Sequence, residues 1–244
     1  MRDDLSDSGL LLVDKPEDWT SHDVVNCIRG RFRVKKVGHC GTLDPIATGL
    51  LLVVLGRATK LSQKLTTQDK IYEGVMRLGV ETFTEDRAGE VTATAPVDIT
   101  PEDVRRVAAQ FTGELLQTPP MVSAIKKDGK KLYKLARQGV EVEREARPIV
   151  IHSLDIDDIS LPEVTFRVHC SKGTYVRTLC ADMGRELGCG GHMRDLRRTM
   201  SSGFKVEDSC TIDEIKSWEK EQMLARMIPL GRLLVMMVDG QQSE

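Results

Sequence analysis

The stretch GHCGTLDPIATGLLLVVLGRATK, residues 38–60, sets two glycines and a single carboxylate in front of an unbroken apolar run. Leu50 to Leu55 is far too short to span a membrane, and it lacks the alternation of a sheet with one wet face. It predicts a buried strand. Gly38 and Gly41 open a loop ahead of it, Gly49 closes that loop, and Pro45 stiffens the backbone beside Asp44. The carboxylate is thereby expected on a rigid support, with glycines that let a ligand come close to the backbone. Asp before Pro is also a common turn pair, so the position alone leaves a structural reading open. A lone carboxylate without a metal-ligand cluster suits nucleophilic or general-base chemistry.

Around this stretch the chain reads as alternating short elements. GLLLVDKP predicts a strand stopped by Pro16, and TSHDVVNCIRGRF a helix capped by Thr20 with Asp23. IYEGVMRLGV predicts a strand followed by the turn-rich TEDRAGE. TPEDVRRVAAQFTG predicts a helix with Thr100 as cap, Pro101 in its first position and Gly113 at its end. VTFRVHC predicts a strand leading into SKGTYVRTLCADMGRELG, a helix closed by Gly188, and TIDEIKSWEKEQMLARM a terminal helix. Short strands and helices without strict βαβ alternation predict an α+β fold.

The net charge of −2 hides a split distribution. RGRFRVKK, residues 29–36, holds five basic groups and no acid. KKDGKKLYKLAR, residues 126–137, holds six against Asp128 alone and reads as a protruding insertion after Pro119 and Pro120. Two such runs on a near-neutral chain point to a polyanionic partner. The acidic start MRDDLSDSGL carries no signal-peptide pattern, and no apolar run approaches a membrane span, so a cytoplasmic protein with no membrane partner is expected. Six cysteines without a C-x-x-C pair predict free thiols. Cys189 and His192 have metal-like spacing but no nearby partners in sequence, and no metal site is expected.

Four segments, taken together and in order, resemble the TruB family of pseudouridine synthases. They are DKPEDWTSHDVV, VGHCGTLDPIATGLLLVVLGRATK, MVSAIKKDGKKLYKLARQGVEVEREARPI and CSKGTYVRTLCADMGRELGCGGHMRDLRR, and the resemblance runs from about residue 9 to 206. The resemblance implies a pseudouridine synthase catalytic fold, with a mixed, mostly antiparallel sheet flanked by helices and a basic thumb-like insertion. It implies a catalytic domain over residues 1–210, with the RNA-binding thumb at about 118–147. Residues 211–244 would then form a C-terminal helix and short tail, without the complete PUA module that many bacterial relatives carry.

By the same resemblance Asp44 falls on the catalytic aspartate, Tyr72 on the aromatic that stacks on the target base, and Tyr175 on the active-site tyrosine. Arg177 falls on the arginine that pairs with the catalytic carboxylate. Lys15 and Leu196 fall on pocket-lining positions, and His39 on the histidine supporting the flipped nucleotide. The implied activity is isomerisation of uridine to pseudouridine at position 55 in the T-loop of tRNA, with base flipping. Lys126, Lys127, Lys130, Lys131, Lys134 and Arg137 would hold RNA phosphates, and the insertion would fold over the T-loop arm as tRNA binds. The reaction breaks the N-glycosidic bond, turns the uracil and rejoins it through carbon. It needs neither cofactor nor metal, and no obligatory protein partner is expected. Whether the carboxylate attacks the sugar or removes a sugar proton stays open. Cys40 and Val122 stand where relatives often carry threonine and tyrosine. A binding module that helps tRNA fold is the alternative of a different class, and it would have no use for Asp44, Tyr72, Tyr175 and Arg177 together.

Overall fold

Strand Thr48–Leu55 organises the first half of the molecule because nearly every residue in it is buried. Along one edge it pairs antiparallel with Gly9–Lys15. Along its other edge Val37–Cys40 pairs with its C-terminal half, and Arg197 and Arg198 of strand Gly191–Ser201 run parallel to Thr48 and Gly49. Cys210–Thr211 lies parallel to the outer side of Gly9–Lys15. Leu10, Leu12, Leu50, Leu52 and Val54 form the core with Cys40, Leu65, Val206 and Leu233. The computed structural model describes residues 7–123, 125–127, 129–136, 138–140 and 142–239, and Arg137 lies outside them.

The described chain forms two units. One holds the residues through Lys70 together with those from Arg197 on, and the other is continuous from Ile71 to Leu196. In the second unit the strand order is Gly191–Ser201, Lys70–Leu78, Glu163–Cys170, Arg147–Ser160 and Gly113–Gln117. The last three pair antiparallel in that sequence. Helices Pro101–Gln110 and Val176–Glu186 complete this unit with the hairpin of Val80–Thr82 and Val91–Thr94. The sheet is mixed and mostly antiparallel, as expected for the α+β reading.

Local signals explain most of these elements. Thr20 and Asp23 form a reciprocal capping box on helix Ser21–Phe32, and Thr100 and Asp103 do the same on Pro101–Gln110. Burial alternates along Lys70–Leu78, placing Tyr72, Gly74 and Met76 on the inner face. The insertion holds a two-stranded hairpin, Lys126–Lys127 against Lys130–Lys131, followed by the short helix Leu132–Ala136.

The C-terminal expectations need correction. TIDEIKSWEKEQMLARM is two helices, Ile212–Ser217 and Lys220–Arg226, split where Trp218 is extended at ψ 146°. A further capping box, Glu219 with Gln222, starts the new helix, and Glu is an unusual cap that hides the boundary in sequence. The segment after Arg226, expected as a short tail, carries a further helix. Only Ile228–Pro229 pairs with Gly9 and Leu10 before helix Leu230–Asp239 begins. Its buried face is set by Leu233, flanked by Leu230 and Met237 at helical spacing. The exposed Leu234, Val235 and Val238 mask that period in the sequence.

Candidate active site

The loop between strands Val37–Cys40 and Thr48–Leu55 carries Asp44 and is fixed at both neighbours of that residue. Ala47 N donates to Asp44 O at 3.1 Å, closing a turn with Pro45 in its second position. On the near side, Leu43 is buried and doubly bonded to Ser21, whose Oγ accepts from Leu43 N at 2.9 Å and donates to Leu43 O at 3.2 Å. On the far side, Pro45 O accepts from Asp18 N at 2.9 Å and from Lys15 Nζ at 3.2 Å. Asp44 itself is half-buried.

Lys15 is fully buried and spends its donors on backbone. Besides Pro45 O, its Nζ donates to Pro16 O at 2.7 Å and Trp19 O at 2.6 Å. Burial pushes its pKa down to about 8; Asp44 and Asp18 work against that fall, and Arg198 adds to it. This lysine therefore braces the turn beside Asp44 and is a cation at neutral pH.

The loop glycines have a use that differs from the expected approach of a ligand. Gly49 has φ +98°, and a Cβ there would sit 2.4 Å from Arg198 O and 2.8 Å from Arg198 N. Gly41 has φ +78°, and its Cβ would lie 3.3 Å from Arg198 Nη1. Both glycines make room for one residue of strand Gly191–Ser201, its backbone at one end of the loop and its guanidinium at the other. Arg198 is 1% exposed, with Nε donating to Leu50 O at 2.7 Å and Nη2 to Gly41 O at 3.0 Å.

His39 stands on Val37–Cys40 opposite Val53, and its Nδ1 is buried with no hydrogen-bond partner among the described residues. Burial, then the charges of Arg198 and His22, lower its pKa, so the ring is neutral at physiological pH. Next to it, Cys40 is a buried free thiol pushed up to about 12 by burial, which leaves it inert.

The remaining expected residues lie in the second unit. Tyr72 is 8% exposed on the face it shares with Gly74, and a Cβ on Gly74 would meet Leu196 Cδ1 at 3.1 Å. Leu196 thus lies beside the face that carries Tyr72. Tyr175 caps helix Val176–Glu186, and the buried side chain of Gln117 brackets its backbone, accepting from Tyr175 N at 2.8 Å and donating to Tyr175 O at 3.1 Å. Arg177, 3% exposed, is no surface charge. It donates from Nη1 to Thr84 O at 2.7 Å and from Nη2 to Val122 O at 2.9 Å, with Nε 3.8 Å from Asp86. One residue on, Thr178 Oγ1 donates to Glu85 Oε2 at 2.5 Å, and burial raises the pKa of that carboxyl. Cys189 and His192 are both buried, and His192 Nδ1 is 2.8 Å from Val80 O.

Ser21, Gln117 and Arg198 escaped the sequence reading. Ser21 and Gln117 act on backbone atoms far away in sequence, which leaves no local spacing to read. Arg198 sits in a basic run, and arginine is so seldom buried that a solvated position is the default.

Comparison with known proteins is consistent over most of the chain. A family model described as TruB family pseudouridylate synthase, N-terminal domain, matches residues 29–176. One described as tRNA pseudouridylate synthase B C-terminal domain matches residues 177–235. The tRNA pseudouridine synthase B of Aromatoleum aromaticum is 49% identical over 93% of this chain and 73% of its own. That of Opitutus terrae is 49% identical over 91% and 92%. Among solved structures, a chain of a Cbf5–Nop10–Gar1 complex superposes with TM-score 0.73 at 30% identity, covering 93% of this chain and 61% of that one. A chain of an archaeal box H/ACA Nop10–Cbf5 complex gives 0.69 at 29%, covering 92% and 60%.

Proposed function

The chain belongs to the TruB family of pseudouridylate synthases and isomerises uridine to pseudouridine in tRNA; from this premise we propose that its target is the T-loop uridine at position 55 and that Asp44 carries the chemistry. The observation that carries the assignment is the loop itself. Leu43 and Pro45 are each held by two hydrogen bonds while the carboxylate between them stays half-exposed. Such preorganisation places a reacting group without an ordering cost at the moment of reaction.

The isomerisation conserves every atom and electron, so no cofactor enters the proposal. The uracil leaves the sugar at N1, rotates and rejoins through C5, releasing the C5 proton to solvent. In the first unit Asp44 meets the sugar, with Lys15 and His39 as further substrate contacts. In the second Tyr72 offers an aromatic face to the extruded base, with Tyr175, Arg177 and Leu196 contacting the substrate. The T-loop arm of tRNA is the partner, bound in the cytoplasm. Among the described residues no helix is long and apolar enough to cross a membrane. The test is to incubate the protein with unmodified tRNA transcript and map pseudouridine by carbodiimide-dependent primer extension. One new stop at the T-loop uridine is expected, and a transcript left unmodified would refute the reading.

We assign RNA binding to the basic insertion. The hairpin register pairs Lys126 with Lys131 and Lys127 with Lys130, which gathers four basic residues on two short strands. Replacing Lys130 and Lys131 with alanine should weaken binding to all tRNAs alike. It should also flatten the dependence of log Kd on log salt by roughly one to two units. Single-turnover chemistry at saturating tRNA should change much less. Binding isotherms at several salt concentrations check this, and an unchanged slope would make the insertion a solvated surface only.

A further inference from the structure

We propose that Arg198 is a positioning residue for the isomerisation: its buried guanidinium ties together the two ends of the loop that carries Asp44 and sets a fixed positive charge at those ends. This rests on Asp44 being the reacting carboxylate.

Strand geometry shows why the arginine is there. On the edge of Thr48–Leu55 facing the loop, Val37–Cys40 pairs only as far as Leu52, and Arg197 and Arg198 pair only with Thr48 and Gly49. The register leaves Leu50 and Leu51 with no strand partner on that edge. A buried carbonyl without a donor is costly, and Arg198 Nε fills the gap by bonding Leu50 O. Nη2 of the same planar group reaches Gly41 O at the other end of the loop. One rigid fork therefore sets the distance between the residues where the loop leaves and rejoins the sheet.

A neutral donor could satisfy Leu50 O, so the charge calls for its own explanation. The neighbouring Arg197 is half-exposed and grips Asp14 through two bonds of 3.0 and 2.7 Å. Arg198 points to the opposite face, is 1% exposed, and has no carboxylate within ion-pair distance among the described residues. Burying a guanidinium against carbonyls alone is expensive, and Lys15, fully buried in the same unit, is held by carbonyls in the same way. The field of Arg198 is felt at Lys15, His39 and Cys40, which shows that it reaches the residues around the loop.

The experiment compares Arg198→Gln and Arg198→Lys with the unaltered enzyme in single-turnover assays at saturating tRNA, with tRNA Kd and thermal melting measured in parallel. At temperatures where all three are folded, Arg198→Gln should lose about 10- to 100-fold in rate with Kd nearly unchanged. Arg198→Lys, which restores charge without the fork, should fall between. An unaltered rate in Arg198→Gln, or equal losses in both variants tracking their melting, overturns the proposal. Should Arg198→Gln not fold, Arg198→Lys decides: a rate loss of threefold or more at unchanged Kd supports it, and an unaltered rate overturns it. Asp44→Asn run alongside separates the two ideas. If that variant is inactive while Arg198→Gln turns over normally, only the role of Arg198 fails; if it stays active, the assignment of Asp44 fails first.

Discussion

Asp44→Asn is expected to abolish pseudouridine formation while leaving tRNA binding within a few-fold of normal. Asparagine keeps the shape of the side chain and removes its charge and basicity, so the hydrogen bonds that hold Leu43 and Pro45 should survive. Those bonds run through backbone atoms and through Ser21, Asp18 and Lys15, none of which the substitution touches. A group that meets the sugar in the transition state typically supplies on the order of 10²- to 10⁴-fold in rate, more when it forms a covalent bond, so the loss should be at least 10³-fold. Tritium release from tRNA labelled at uracil C5 reads the reaction directly, and filter binding reads affinity. Turnover near the unaltered rate would remove Asp44 from the chemistry. A parallel collapse of binding would show instead that the loop had been disrupted.

The largest effect on stability should come from Gly49→Ala. A methyl at this position must enter space already filled by Arg198 O at 2.4 Å and Arg198 N at 2.8 Å, on a residue whose φ is +98°. Both neighbours are backbone atoms of a paired strand and cannot rotate aside. Left-handed strain and the collision together should cost roughly 3 kcal/mol or more, enough to lower the melting temperature by about 10 °C. Gly203→Ala is the matched control, because its φ is +77° but nothing lies within 4 Å of the added carbon. It should lose only the conformational part, about 1 kcal/mol. Equal melting of the two variants would show that the close approach of Arg198 contributes nothing.

The sequence made elements with local signals legible. The capping pattern of Thr20 with Asp23, Thr100 as a cap and Pro101 in a first helical turn led directly to observed helices, and the strand-like IYEGVMRLGV to strand Lys70–Leu78. Strand Arg147–Ser160 carried no such signal, although it is the longest in the chain. Register shifts between Ile151 and Ser153 and between Ile156 and Asp158 break its period of two, so apolar residues do not recur on one face. Asp44 was legible because glycine, proline and an apolar run frame it within a few residues. Arg198 was not, since its partners Gly41 and Leu50 lie about 150 residues away and only folding brings them together. For the same reason Gly41 and Gly49 could be recognised as necessary, while what they make room for could not.

The division of the chain into a continuous unit and one built from two separated segments orders events during synthesis. Residues 71–196 leave the ribosome as an uninterrupted stretch, ending within strand Gly191–Ser201. Strand Gly9–Lys15 is made about 200 residues before its neighbour Cys210–Thr211 and the core side chain of Leu233. The arginine that joins Gly41 to Leu50 is translated more than 140 residues after the loop it secures. Nascent chains stalled before Arg198 are therefore expected to present the Asp44 loop without its clasp.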